Sequence, residues 1–454
     1  MPGPSRSRSR RVLSVGLVGL AATSPLLAAP ADPVAAATTP VPTAYVAAER
    51  DGTLTPVDLT TLTVGEPVGT SAFPNGVAVT PDGSTAYVTA RAAGRVNVVD
   101  LVTNQPVDTI DVGRQPVGIA ITPDGTTALV SDIADDTLTP IDLATGAVGT
   151  PLPTDRYPIA TAVTPDGAVA YTANLVAGTV TPFDLADATP GPSIAVGSGP
   201  TDLAVTPDGA TLLVVDGTDD TVTPIDVATG VAGDAVPVGA GASDVAISPD
   251  GDVALVSGRD AGTLTPLELT TMTTAPAIPA GPTPGEVAID PAGELALVSN
   301  RGAGTVTPVD LSTGDAGPPL AVGDTPAGIA ITPDQAPVAR LAVTEVEPSG
   351  VAHLDASASS VAHGTVDRYV WDFGDGTPTR TTESARTTHA YPPGTYTVTL
   401  RAVSSAGTST ARVFTGRTMS RNGGPSAETT LTLRVDVGAV PTAPPRVATP
   451  RFTG

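Results

Sequence analysis

The sequence predicts an all-β protein with two folded domains, a seven-bladed β-propeller followed by a β-sandwich. Three observations lead to this fold class. A β-rich unit of 42 residues recurs through most of the chain, fragments of that unit stand at its two ends, and a separate stretch of alternating β pattern follows.

Two landmarks define the repeat, and both keep the same spacing. A Pro-Asp-Gly turn between two β runs begins at the following prolines, in altered form in the last two: Pro81, Pro123, Pro165, Pro207, Pro249, Pro291 and Pro333. An acidic residue ends a short β run in every copy: Asp58, Asp100, Asp142, Asp184, Asp226, Glu268 and Asp310. Seven copies in phase indicate an array of one supersecondary unit.

Each unit contains four short β runs, which we name strands A to D. In one copy they are Gly118–Thr122, Thr127–Ser131, Thr137–Asp142 and, near the end, Ala147–Pro151. Turn residues separate the runs, so they are expected to pair as neighbouring antiparallel strands. Four such strands in about 40 residues are typical of a propeller blade.

The two ends of the array complement each other. The chain enters at a strand B, Ala44–Val46, and leaves after an additional strand A, Gly328–Thr332. Together these fragments make a seventh blade, and this strand exchange would close the ring and remove exposed strand edges.

Strand C carries an unusual residue for a sheet. Proline cannot donate a ladder hydrogen bond, so we expect a bulge or a non-bonded register where it stands. Val98 occupies this position in one copy, and the other six copies have Pro56, Pro140, Pro182, Pro224, Pro266 and Pro308.

The remaining segments have simpler interpretations. Residues 1–37 combine four arginines, a short apolar run and small residues, which predicts an export signal of the twin-arginine or the general secretory kind. No second apolar run follows, so we expect a secreted or cell-surface protein without a transmembrane segment in its mature chain. The propeller is assigned to 38–338, the sandwich to 339–437 and a disordered, proline- and arginine-containing tail to 438–454.

Charge and composition exclude several functions. Residues 41–333 contain 35 acidic residues against 7 arginines, and the whole chain has no lysine or cysteine. An acidic surface repels phosphate backbones, so nucleic acid is not an expected partner. The absence of cysteine excludes disulfides, thiolate metal sites and a cysteine nucleophile. Nothing in the pattern requires an oligomer, and we expect a monomer.

The repeat resembles a known family. Tyr87–Ala90, followed by Gly94–Asp100 and Asp111–Gly113, looks like the YVTN-type β-propeller repeat. The resemblance covers the propeller region and implies a seven-bladed ring. Propellers of this kind occur in bacterial and archaeal surface proteins, and related seven-bladed folds include lactonases and lyases.

The second domain resembles a PKD domain, an immunoglobulin-like sandwich. Tyr369–Gly376 carries the Trp-Asp-Phe-Gly-Asp-Gly signature, and His389–Tyr391 and Pro393–Leu400 follow it. Trp371 is therefore expected in the core, and the last strand is expected at Thr430–Val437. The calcium-binding turn of some relatives is replaced here by Val-Ala-His-Gly at 361–364.

The candidate site is a set of acidic residues at the start of strand A. That position holds, in blade order, Gly76, Gly118, Ala160, Asp202, Asp244, Glu286 and Gly328. Because strand A lies nearest the propeller axis, Asp202, Asp244 and Glu286 could converge at one channel mouth and hold Ca²⁺, which prefers oxygen ligands. The alternative is that they face solvent. No other cofactor is expected, and the acidic residues repeated in every blade are interpreted as turn caps.

The chemistry needed for catalysis is sparse. All three histidines lie in the second domain, so histidine catalysis in the propeller is excluded. Tyr157 and Phe73, each before a proline, are the aromatic residues expected to be exposed. We therefore expect a secreted, non-enzymatic binding or adhesion scaffold that contacts an extracellular protein or a cell-envelope polysaccharide. The alternative is a lactonase- or lyase-like enzyme with an acidic metal site at the channel mouth.

Overall fold

The computed structural model describes residues 43–333, 339–359, 366–404 and 426–435. The expected export signal and C-terminal tail lie outside the described residues. Within them every regular element is a β-strand, which confirms the all-β fold class.

Seven antiparallel sheets form the propeller, and each has the order A, B, C, D. Strand A of blades 1 to 7 is Pro326–Ile331, Pro74–Val79, Pro116–Ile121, Pro158–Val163, Pro200–Val205, Ala242–Ile247 and Pro284–Ile289. Strand B is Thr43–Ala48, Thr85–Ala90, Thr127–Asp132, Val169–Asn174, Thr211–Asp216, Val253–Gly258 and Leu295–Asn300.

The outer half of each blade is less regular than the inner half. Strand C is Thr53–Asp58, Arg95–Asp100, Thr137–Asp142, Thr179–Asp184, Thr221–Asp226, Thr263–Glu268 and Thr305–Asp310. Strand D is continuous in blade 2, at Gln105–Asp111, and short in blade 3, at Leu152–Pro153. Elsewhere it has two pieces: Thr63–Val64 and Val68–Gly69, Thr189–Pro190 and Ile194–Ala195, Val231–Ala232 and Val236–Pro237, Thr273–Thr274 and Ile278–Pro279, Asp315–Ala316 and Leu320–Ala321.

Blade 1 is built from both ends of the array. Its strand B, at Thr43–Ala48, pairs antiparallel with the last strand A, at Pro326–Ile331, and Tyr45 lies opposite Ala330. Each strand A also contacts the strands A of the blades on either side. The orphan fragments at the two ends of the repeat therefore lie in one sheet.

The prolines of strand C explain why strand D is broken. The ladder between strands B and C is continuous, with Leu129 opposite Pro140 in blade 3. On the other side, the Gly149 amide donates to the Pro140 carbonyl at 2.8 Å, but proline has no amide to return. In blade 2 Val98 takes this place opposite Asp108, and strand D runs for seven residues. The expected disruption is confirmed, and it lies between strands C and D.

Small and β-branched side chains fill the spaces between blades. The core between blades 4 and 5 contains Tyr171, Val180, Leu203 and Ile225, all at most 3% exposed. One alanine recurs in every strand A and is buried in every blade: Ala78, Ala120, Ala162, Ala204, Ala246, Ala288 and Ala330. Small side chains at this position allow the blades to converge on the axis.

The second domain consists of two antiparallel sheets. One contains Ala342–Val346, Val351–Asp355 and Arg386–Ala390; the other contains Arg380–Thr382, Val366–Asp372, Gly394–Ser404 and Ser426–Val435. Trp371 is fully buried, as expected, and its indole N–H donates to the Thr382 hydroxyl at 2.9 Å. The expected start of the last strand at Thr430 was wrong, because the long partner strand extends the ladder back to Ser426.

Candidate functional site: the propeller mouth

The loops of the propeller form two different faces. On one, the A–B turn meets the C–D turn, as where the Leu101 amide donates to the Ser84 carbonyl at 2.8 Å. On the other, the B–C turn meets the D–A loop, as where the Arg91 amide donates to the Phe73 carbonyl at 3.0 Å. We call these the turn face and the mouth face. A cavity of about 680 Å³ lies in the mouth face, and we call it the mouth.

One repeat position supplies much of the mouth and differs from blade to blade. It is the residue directly after strand B, and in blades 1 to 7 it is Glu49, Arg91, Ile133, Leu175, Gly217, Arg259 and Arg301. All of these except Gly217 line the mouth. Blades 6, 7, 1 and 2 therefore contribute a charged arc, whereas blades 3 and 4 contribute an apolar one.

The charged arc contains a connected network. The Arg301 guanidinium donates to Glu49 Oε2 at 2.5 Å, and the Asn75 amide donates to Glu49 Oε1 at 2.8 Å. The Glu49 side chain is only 13% exposed. Residues of blades 7 and 2 thus hold the Glu49 carboxylate of blade 1 in a fixed orientation.

The apolar arc lies beside this network. Ile133 and Leu175 follow strand B of blades 3 and 4, and Val117 and Ile159 come from the second residue of strand A in the same blades. Tyr157 directly precedes strand A of blade 4 and lines the mouth, and it is half-buried where exposure was expected. The expected exposure of Phe73 is confirmed, at 49%, but Phe73 does not line the mouth.

The three predicted metal-ligand residues bond to backbone amides of the neighbouring blade. Asp202 Oδ2 accepts from the Val245 amide at 3.0 Å, and Asp244 Oδ2 accepts from the Val287 amide at 2.9 Å. Glu286 Oε2 accepts from Ile329 in the same way, at 2.5 Å. Asp202 and Asp244 are almost completely buried. These carboxylates therefore connect consecutive strands A.

The metal hypothesis gains no support from this arrangement. Among the described residues, no group of three or more histidine, aspartate or glutamate side chains has a geometry that could hold a metal ion. Asp244 and Glu286 do line the mouth, as expected of residues at the start of strand A. A calcium site at Asp202, Asp244 and Glu286 stays a prediction.

Glycine occupies the same strand A position in three other blades, where the backbone of the next blade leaves no room for a Cβ. A Cβ at Gly328 would lie 2.1 Å from the Asn75 carbonyl oxygen, and one at Gly118 would lie 2.7 Å from that of Ile159. Real Cβ atoms do not approach so closely, so these blades require glycine. The acidic residues and the glycines are two ways of joining adjacent strands A.

Sequence reasoning missed a second set of buried polar residues, at the end of strand B. Asp132, Asn174, Asp216 and Asn300 are all fully buried there. The Thr139 hydroxyl donates to Asp132, yet burial raises the pKa of Asp132 to about 6. The D–A loop packs so closely on this side chain that a Cβ on Gly113 would overlap it. The sequence could have revealed this set, because its polar residues share one position of the repeat.

Within the described residues, the aspartates that recur in the turns are caps, as predicted. Asp166 Oδ1 accepts from the Ala168 amide at 3.0 Å and from the Thr164 hydroxyl at 2.6 Å. These bonds, the Thr164 bond foremost, lower the pKa of Asp166. Asp58 caps the C–D turn of its blade by accepting from the amides of Thr60 and Thr61.

The second domain places its described histidines in structural pairs. His389 contacts Asp375 Oδ2 at 2.8 Å and stacks on Phe373 with a centroid distance of 3.8 Å. Hydrogen bonds from Thr377 and His389 lower the pKa of Asp375 to about 2. His353 contacts Glu347 at 3.0 Å. The Val-Ala-His-Gly stretch at 361–364 lies outside the described residues.

Fold and site together define a β-propeller protein with an additional sandwich domain. Residues 160–320 match the family described as Lactonase, 7-bladed beta-propeller, and residues 334–419 match the PKD domain. No curated protein matches the chain. The chain is therefore a β-propeller protein with a C-terminal PKD domain, which confirms both resemblances.

Solved structures with the same fold have varied titles. A functionally unknown protein from Desulfotomaculum acetoxidans aligns with a TM-score of 0.58 and 17% identity, over 64% of this chain and 98% of that one. A putative 6-phosphogluconolactonase from Bacteroides fragilis gives 0.55 and 17%, over 65% and 99%. Kuenenia stuttgartiensis hydrazine synthase gives 0.52 and 22%, over 56% and 88%. At these identities the similarity shows the fold alone.

Within the described parts of the chain, no helix is both long and apolar enough to cross a bilayer.

Proposed function

We propose that this protein is an extracellular, non-enzymatic binding module whose mouth face contacts an envelope polysaccharide or another extracellular protein. One observation carries the proposal: a single repeat position supplies much of the mouth and differs from blade to blade. The residue after strand B changes from glutamate to arginine, isoleucine, leucine and glycine, while the turn face repeats its capping residues. Variable loop residues on a regular scaffold are typical of a recognition surface.

Two further features support this assignment. PKD domains are typical of extracellular proteins, and this one follows the propeller as a spacer or a second contact module. Histidine side chains, which serve most often as general acids and bases, do not occur in the propeller. A binding role needs no general acid or base, and the charged and apolar arcs of the mouth can serve it directly.

The test compares the two faces of the full chain without its export signal. Tyr157→Ser and Arg91→Gln alter the mouth, and Val102→Ser alters an 82% exposed residue of a C–D turn on the turn face. We expect surface plasmon resonance with envelope polysaccharide fractions and candidate extracellular proteins to show binding that weakens at least about tenfold in the mouth variants. The turn-face variant should bind like the parent. Equal binding by all variants would place recognition elsewhere.

A lactonase-like hydrolase is the second candidate, and a specific observation favours it. The Lactonase match covers blades 4 to 7, and the mouth contains a largely buried carboxylate beside an arginine, Glu49 with Arg301. In such an enzyme Glu49 would take a proton from the water that adds to the lactone carbonyl, and would return it to the ring oxygen as the ring C–O bond breaks. The arginine would stabilise the oxyanion.

Lactone hydrolysis can be measured directly. A panel of sugar lactones and phosphosugar lactones should turn over with the parent chain and not with Glu49→Gln if this second candidate is right. Equal rates in the two proteins, or none in either, would leave the binding module. The metal-dependent form of this candidate additionally requires Ca²⁺ at Asp202, Asp244 and Glu286, which chelation would remove.

A further inference from the structure

The arginines of the propeller are concentrated at the mouth. The domain has 7 arginines against 35 acidic residues, and four of the arginines line the mouth: Arg50, Arg91, Arg259 and Arg301. An otherwise acidic surface therefore has more than half of its positive charge in one cavity, where low-dielectric walls strengthen its effect.

The acidic residues of the mouth already have partners. Glu49 is bound by Arg301 and Asn75, and Asp324 lies 3.6 Å from Arg50. The remaining two acidic residues of the lining accept from amides of neighbouring strands: Asp244 from Val287 and Glu286 from Ile329. Each of these carboxylates is thus held by a group of the protein, and only Glu49 and Asp324 are paired with an arginine.

Two of the arginines are not neutralised in this way. Among the described residues, no carboxylate lies within ion-pair distance of Arg91 or Arg259. Arg259 donates to the Ser243 hydroxyl at 2.9 Å, which orients its guanidinium without cancelling its charge. Arg91 and Arg259 stand on blades 2 and 6, on the two sides of the Arg301–Glu49 pair. They are the positive groups available to a ligand.

The opposite part of the mouth is apolar. Val117, Ile133, Ile159 and Leu175 line blades 3 and 4, next to the blade that carries Arg91. A cavity of about 680 Å³ has the size of a small-molecule site, and such sites combine apolar walls with a few placed polar groups. A fully hydrophilic ligand would leave this apolar wall without a contact.

We propose that the mouth binds an amphipathic organic anion, with its carboxylate or phosphate on Arg91, its apolar body against Val117, Ile133, Ile159 and Leu175, and Arg259 adding positive charge from the other side of the mouth. The proposal rests on the binding function proposed above and specifies the chemical class of its ligand. Guanidinium groups bind both kinds of oxyanion through charge-assisted hydrogen bonds. The apolar wall distinguishes this ligand from a free phosphate or a sugar acid.

Calorimetric titration of the full chain tests the proposal with octanoate and octyl phosphate as probes. Acetate and inorganic phosphate serve as head groups without an apolar body. We expect saturable binding of at least one octyl probe, and binding at least tenfold weaker for the matching head group. The octyl probe that binds more tightly identifies the head group.

Variants separate the two halves of the site. Arg91→Gln with Arg259→Gln should weaken binding of the octyl probe at least about tenfold. Arg95→Gln with Arg114→Gln is the matched control, because both arginines lie on the propeller outside the mouth, and it should leave binding unchanged. Ile159→Thr should weaken the octyl probe and not the head group, and it is conservative because Thr201 holds this position in the next blade.

Two results would contradict the proposed ligand class. Absence of binding by both octyl probes, or equal binding by the Arg91/Arg259 variant and the parent, would overturn the proposal. Unchanged thermal unfolding of each variant would show that it is folded. Polysaccharide or protein binding that still depends on Tyr157 and Arg91 would keep the proposed function while this ligand class fails.

Discussion

The two faces of the propeller are made from the same repeat and have opposite characters. On the turn face, capping aspartates recur, and Asp58 and Asp166 each accept from the backbone amide two residues later. On the mouth face the corresponding loops carry arginine, glutamate, isoleucine, leucine and glycine at one position. The turn face therefore maintains the geometry of the blades, and the variable positions of the mouth face are available for recognition.

Even the mouth face contains structural residues, and this limits the comparison. Asp244 lines the mouth and also accepts from the Val287 amide of the next blade. A mouth residue is thus assigned to ligand recognition only if it does not already stabilise the fold. Stability measurements can separate the two groups, because buried hydrogen-bonded carboxylates and exposed arginines differ widely in their contribution to folding.

The largest effect is expected at the bond between blades. Asp244→Ala removes the acceptor of a buried backbone amide, so the free energy of unfolding should fall by about 3 kcal/mol. Asp244→Asn retains a carbonyl acceptor and should lose much less. Denaturant titration with a constant m-value would measure both.

The same variants test the calcium hypothesis. If Asp202, Asp244 and Glu286 serve only as bonds between blades, adding Ca²⁺ to the chelated full chain should leave its melting temperature unchanged. A rise that disappears when all three residues become alanine would instead establish a metal site. It would also support the metal-dependent form of the lactonase-like candidate.

A buried acid beneath the mouth face should make stability depend on pH. Burial raises the pKa of Asp132 to about 6, so its protonated form is favoured in the fold. Its contribution is fully present below the ordinary carboxyl pKa and is lost as pH rises through about 6. Asp132→Asn should therefore stabilise the protein by about 2 kcal/mol at pH 8.

Asn174 and Asn300 make this a conservative change. They occupy the same repeat position, and their side-chain amides donate to Thr181 and Thr307 at 2.9 and 2.8 Å. The gain from Asp132→Asn should shrink steadily below pH 6 and nearly vanish at pH 4. A gain that is the same at pH 4 and pH 8 would contradict the titration of Asp132.

The turn face should show a smaller but reproducible cost. Asp166→Ala removes the cap that accepts from Ala168 and Thr164, and should destabilise the propeller by about 1 kcal/mol. Blade 7 provides a control, because its turn has Ala292 and is capped by Asp290 through the Glu294 amide at 2.8 Å. Ala292→Asp should therefore change stability little.

The sequence was sufficient for the fold and insufficient for the site, and the reason is physical. Turn residues and strand periodicity act locally, so Pro81 and Asp58 could be placed without knowledge of the rest of the chain. The partner of Asp244 is 43 residues away and depends on the distance between two blades. The sequence placed Asp244 near the mouth correctly, but its interblade bond could only be seen in three dimensions.

The arginines were missed for a related reason. The position after strand B is as regular in spacing as the Pro-Asp-Gly turns, but it attracts no attention because its residues differ. Comparing repeats for what varies, as well as for what recurs, would have identified Arg91, Arg259 and Arg301 together. That signal requires only the alignment of the seven copies.

The smallest effect on stability is expected where the effect on binding is largest. Arg91→Gln should change the free energy of unfolding by less than about 0.5 kcal/mol, because the described residues offer its guanidinium no ion pair to lose. Arg301→Gln should cost more, since it leaves the largely buried Glu49 carboxylate without its arginine. Thermal and chemical unfolding of the two variants, measured beside their binding of the octyl probes, would reveal the difference. If Arg91→Gln destabilised the protein as much as Arg301→Gln, both arginines would be structural. The distinction between the mouth's recognition residues and its scaffold would then fail.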